Sequence, residues 1–85
     1  MKKVFVIKDE KSGAHYDPFT MSNTIDAQRA FMQGMKSEKS IISQYPEDFN
    51  LYFIGEFDEM SGLINPQAPV LILTGKDAKD SLKKE

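Results

Sequence analysis

Cysteine and tryptophan are absent from the 85 residues, and histidine occurs once, as His15. Without cysteine there is neither a disulfide nor a thiolate metal site, and one histidine does not make a histidine-rich one. No glycine-rich phosphate loop is present, because the glycines stand apart at 13, 34, 55, 62 and 75. Serines are plentiful, but a base to activate one is not. His15 falls on an expected hairpin strand, where it reads as an ordinary exposed residue rather than a general base. The chain is therefore read as a non-enzyme that needs no cofactor.

Long apolar segments are missing too. After Met1-Lys2-Lys3 only Val4 to Ile7 precede Lys8, too short for a signal-peptide core or a membrane span. The expectation is a cytoplasmic protein, neither secreted nor membrane-spanning. A chain of 85 residues makes one small domain with a modest core, which self-association often supplements. Glu56, Asp58 and Glu59 sit close together, but without the ligand spacing of a calcium loop they read as a solvated turn.

The formal net charge of −2 is unevenly spread. Residues 1–43 hold seven Lys/Arg and five Asp/Glu, and residues 44–85 hold four and eight, so the halves carry +2 and −4. Nonspecific nucleic-acid binding usually comes with a clearly basic surface. Any such role here needs a local patch in the first half.

What the sequence does contain is a repeated turn. Asp9-Glu10-Lys11-Ser12-Gly13 and Asp58-Glu59-Met60-Ser61-Gly62 share the pattern Asp-Glu-x-Ser-Gly. Asp and Ser side chains bond their own backbone in turns, and glycine accepts positive φ, so each copy signals a hairpin. Lys3 to Lys8 alternates as a strand with apolar groups on both faces, an interior position, and Ala14 to Phe19 is its expected return, with Pro18 at an end or edge. Ser22-Asn23-Thr24 supplies cap candidates for a helix whose stripe is Ala27, Ala30, Phe31, Gly34 and Met35. Glu38 to Gln44 is a second short helix burying Ile41, Ile42 and Tyr45, stopped by Pro46. Leu51 to Phe57 is the third strand. Leu63-Ile64 is a short return and Val70 to Leu73 a last strand, with Pro66 and Pro69 between them. Residues 76–85 form a charged tail, frayed helix or disordered, outside a domain spanning residues 1–75. The fold class is α+β: β-β-α-β-β, a mostly antiparallel sheet with one main amphipathic helix. One helix covers one sheet face, so the second apolar face calls for another cover, and a homodimer is expected.

The first half interleaves cations with aromatics. Lys3, Lys8, Lys11 and Arg29 are candidates to neutralise phosphates, Tyr16 to stack on a base, and His15 to share their surface. The competing account makes them solvated hairpin positions and Phe5 and Phe19 plain core residues. Both stand at this point.

One stretch carries a resemblance. Gln44-Tyr45-Pro46-Glu47-Asp48-Phe49-Asn50-Leu51-Tyr52-Phe53-Ile54-Gly55-Glu56-Phe57-Asp58 resembles the small nonstructural protein of gokushoviruses, single-stranded-DNA bacteriophages of the microvirus family (Microviridae). The likeness extends to Asp17-Pro18-Phe19, to Ala27-Gln28-Arg29-Ala30-Phe31 and to the second turn. The resemblance implies a phage-encoded, nonstructural, DNA-binding protein that assists viral DNA replication in the host bacterium's cytoplasm. Single-stranded DNA is then the expected partner. The alternative is a non-enzymatic adaptor that redirects host or phage replication or packaging proteins.

Overall fold

Both Asp-Glu-x-Ser-Gly segments close the same turn. In the first, Asp9 Oδ1 accepts from the Lys11 N–H (3.0 Å), the Gly13 N–H donates to the Asp9 carbonyl (2.7 Å), and Ser12 Oγ accepts from the Ala14 N–H (3.2 Å). Asp58, Met60, Gly62, Ser61 and Leu63 repeat these bonds at 2.9, 2.8 and 3.2 Å. Gly13 (φ 81) and Gly62 (φ 76) take the positive φ that closes each loop.

The computed structural model describes residues 1–83. Strand β1 (Lys2–Asp9) leads to β2 (Phe19–Met21), then helices α1 (Thr24–Lys36) and α2 (Ile41–Gln44). A 3-10 turn at Pro46–Asp48 precedes β3 (Phe49–Phe57), β4 (Ile64–Thr74) and helix α3 (Gly75–Lys83). The fold is α+β, with one antiparallel sheet in the order β2-β1-β3-β4. β1 is interior, as its two-faced apolar pattern requires. Among the described residues, no helix is long and apolar enough to cross a membrane.

The strands depart from expectation where proline intervenes. His15 makes only an isolated bridge to Lys8, pairing lapses at Asp17 and Pro18, and β2 resumes at Phe19 opposite Phe5. Pro18 has no N–H to continue the ladder. Pro66 and Pro69, expected to break the last strand in two, lie inside a continuous β4. β4 is an edge strand, where a missing donor is tolerated, and register shifts against β3 absorb the irregularity.

All three helices pack on one sheet face. Asn23 caps α1 by accepting the Asp26 N–H at 2.8 Å, and Ala27, Phe31 and Met35 bury that helix's inner stripe. Ile42 of α2 and Ala78 of α3 join them against Phe5, Phe49 and Leu51 in one core. Ala30 lies outside the stripe and is exposed. Gly34 is crowded by the Ile42 side chain rather than by the sheet. In α2 only Ile42 of the three expected apolar residues is buried; Ile41 and Tyr45 are exposed. Four residues make barely one turn, so one apolar position faces inward.

Residues 76–83, expected as a frayed helix or a disordered tail outside the domain, are a helix packed into the core; Lys84 and Glu85 lie outside the described residues. Thr74 Oγ1 caps α3 by accepting the Asp77 N–H at 3.0 Å. At Gly75 a Cβ would collide with the carbonyl oxygens of Pro46 and Phe49, so the chain enters the helix through a gap open only to glycine. Ala78 is fully buried. Lys79 Nζ donates to Ser43 Oγ (2.7 Å) and to the Met35 carbonyl (3.2 Å), satisfying an acceptor in the last turn of α1.

Candidate nucleic-acid interface

The other sheet face carries no helix, although Val4 and Val6 on the interior strand are buried there too. Ile7 and Leu51 pack toward the helices, so their strand neighbours point away. In β4 both Ile72 and Leu73 pack inward across a register shift, and Leu71 is placed on the outer face by its pairing with Tyr52. On that outer face Val6, Tyr52 and Leu71 are cross-strand partners, and so are Lys8, Asn50 and Thr74. His15 bridges Lys8 from the return segment. Lys8, His15, Tyr52 and Pro69 line a small hollow of about 80 Å³.

Glu10 reaches back over this face from the first turn. Its Oε2 accepts from Asn50 Nδ2 at 2.9 Å and from the Tyr52 hydroxyl at 2.5 Å, and Lys8 Nζ lies 3.3 Å from Oε1. The Glu10 N–H donates to the Asp48 carbonyl at 2.7 Å, which anchors the turn against the start of β3. The Tyr52 hydrogen bond above all, then that of Asn50, with Lys8 adding less, holds the Glu10 carboxyl at about 2, against an ordinary value of 4.5. The same bond pushes the Tyr52 phenol up, because losing its proton would place two negative oxygens together.

A carboxyl depressed by folding stabilises the fold above its unfolded value and stops doing so as pH falls through its folded value. The wild type should therefore melt above Glu10→Gln at pH values over 4.5, and the gap should close as pH falls toward 2. Thermal melts of both proteins across that range check this. A gap that stays constant would mean that Glu10 makes no such contacts.

The six residues singled out in the sequence do not form one surface. Lys8 and His15 come together. Lys11 sits in the turn and lines a separate groove with Gln44, Tyr45, Pro46, Glu47 and Asp48. Tyr16 is 44% exposed, yet its ring rests on the core residue Phe49, with centroids 5.8 Å apart. Lys3 lies on the helix-facing side, its Nζ 5.0 Å from the Phe53 ring centroid. Arg29 is on the outer side of α1, with Nη1 4.0 Å from Asp26 Oδ1, so helix and sheet stand between it and Lys8.

Tyr52, Asn50 and Glu10 are the additions that sequence reasoning missed. The signal for Tyr52 was its alternation against Leu51 and Phe53. Glu10 carried none, because Asn50 and Tyr52, which it joins, are 40 and 42 residues away.

Residues 2–78 match the family model described as "Phage ORF5 protein", and the chain belongs to that family of phage proteins. No curated protein and no solved structure matches it.

Proposed function

We propose that this member of the phage ORF5 family binds single-stranded DNA in the cytoplasm of the infected bacterium, as a dimer and without catalysis, and so assists replication of the viral genome. The observation that carries this reading is the sheet face free of helices, where Lys8, His15 and Tyr52 line one hollow. An aromatic ring offers a stacking platform to any base, and a neighbouring cation follows the backbone. The resemblance to a gokushovirus nonstructural protein supports the same partner. Dimerisation is supported by the apolar side chains along the β3–β4 hairpin, where Leu63 is 65% and Ile64 55% exposed.

Titration of a labelled single-stranded oligonucleotide at two salt concentrations tests the reading, with sedimentation of the same protein reporting the dimer. Binding should weaken with salt. Lys8→Ala should reduce the logarithmic salt slope by about 0.7, the share of one phosphate contact on a single strand. Tyr52→Ala should cost about 1–3 kcal/mol at every salt concentration, while Arg29→Ala should change little. Equal affinity in all four proteins would move the binding surface elsewhere.

The second reading, an adaptor for host or phage replication proteins, is favoured by β4 itself. Residues 64–74 include no charged side chain and run along an exposed sheet edge. An adaptor of this kind would show no salt-dependent oligonucleotide binding.

A further inference from the structure

The outer face has a carboxylate at the end next to the first turn, where Glu10 meets Lys8, Asn50 and Tyr52, and a carboxylate repels phosphate. A negative group on a surface that meets single strands needs a partner that donates hydrogen bonds. The bases carry such donors and the backbone does not. Glu10 is ionised across the physiological range, so both its oxygens act only as acceptors, with about four lone-pair sites between them. Three are taken: Oε2 accepts from Asn50 and Tyr52, and Oε1 lies 3.3 Å from Lys8 Nζ. The remaining site is on Oε1, and the side chain is 33% exposed. Three protein groups hold the carboxylate in place, so a ligand meets an acceptor already oriented beside the Tyr52 ring.

We propose that Glu10 selects the base stacked on Tyr52, accepting a hydrogen bond from an exocyclic amino group and so favouring cytosine over thymine. This rests on the reading of the outer face as a single-strand surface. Cytosine offers its N4 amino group, which carboxylates accept in nucleic-acid recognition. Thymine presents the O4 carbonyl at the same position, and its oxygen would face the Glu10 oxygen with no proton between them. Lys8, paired to the other side of the carboxylate, remains near enough to meet a phosphate. Glu10 thereby separates two tasks on one face, with the cation for the backbone and the anion for the base.

The test measures wild type and Glu10→Gln against oligo-dC and oligo-dT of about twelve nucleotides, within the span of single-strand modules, near neutral pH. The wild type should bind oligo-dC about tenfold more tightly, the scale of one charge-assisted hydrogen bond to a base. In Glu10→Gln the amide oxygen can keep the Tyr52 hydroxyl, which turns the amide N–H groups toward the base. The ratio should then fall to about one or invert, because a donor now faces the amino group. Equal affinity of the wild type for both oligonucleotides, or an unchanged ratio in the variant, overturns the assignment of Glu10 while the single-strand surface stands. Failure of the wild type to bind either oligonucleotide withdraws that surface and this inference together. The wild-type ratio requires no variant, so it stands even if Glu10→Gln folds poorly.

Discussion

Phe31→Ala is expected to cost about 3–5 kcal/mol, the range for emptying a buried phenylalanine site. Phe31 is 1% exposed and stands in the core with Ala27 and Met35 of its own helix and with Phe5 and Leu51 of the sheet. It is the largest side chain that α1 contributes there. Stability of about 0.05–0.15 kcal/mol per residue is typical of small domains, about 4–13 kcal/mol for 85 residues, so this loss takes from about a quarter to all of it. Arg29→Ala, on the outer face, should stay within about 0.5 kcal/mol of the parent. If Phe31→Ala melted like the parent, the inner face of α1 would be wrongly assigned.

The second large effect is expected at the chain's end. Ala78 is fully buried between α1 and the sheet, and Ala78→Glu would force a carboxylate into that space. The effective cost of an unpaired buried charge is several kcal/mol, enough to undock the helix. Undocking would also remove Lys79 from the Met35 carbonyl and Ser43, exposing the end of α1. Ser81→Glu, exposed on the same helix, is the control and should be nearly neutral. Hydrogen exchange at α3 amides together with thermal melts distinguishes the two variants. Equal behaviour would return residues 76–83 to the status of a tail.

The contrast between these elements explains what the sequence disclosed. α1 was legible because its cap, Asn23, and its stripe, Phe31 and Met35, lie within one short window. The hairpin turns were legible for the same reason: Asp, Ser and Gly each act on neighbours two to four residues away. α3 was not. Its apolar content is Ala78 and Leu82 among alternating charges, and its docking depends on the fit of Gly75 against Pro46 and Phe49. In the sequence β4 reads as two pieces, because Pro66 and Pro69 normally interrupt a ladder. Only the strand order, which puts β4 at the edge, makes them tolerable.

The candidate site divides along the same line. Lys8 and His15 flank a local turn and were correctly placed near each other. Lys3 and Tyr16, one residue off in alternation, face the helix side or the core. Local charge composition cannot separate residues that a strand sends to opposite faces. Tyr52 was on the correct face in the alternation, yet its link to Glu10 exists only once β1 and β3 pair in register.

The most direct test of the account is nuclear magnetic resonance of the labelled protein titrated with a short cytosine-containing single strand. The resonances of Lys8, Glu10, His15, Tyr52 and Leu71 should move together, while those of Arg29 and its neighbours on the outer side of α1 stay still. Perturbations centred on α1, or confined to the β3–β4 hairpin without Lys8 and Tyr52, would contradict it.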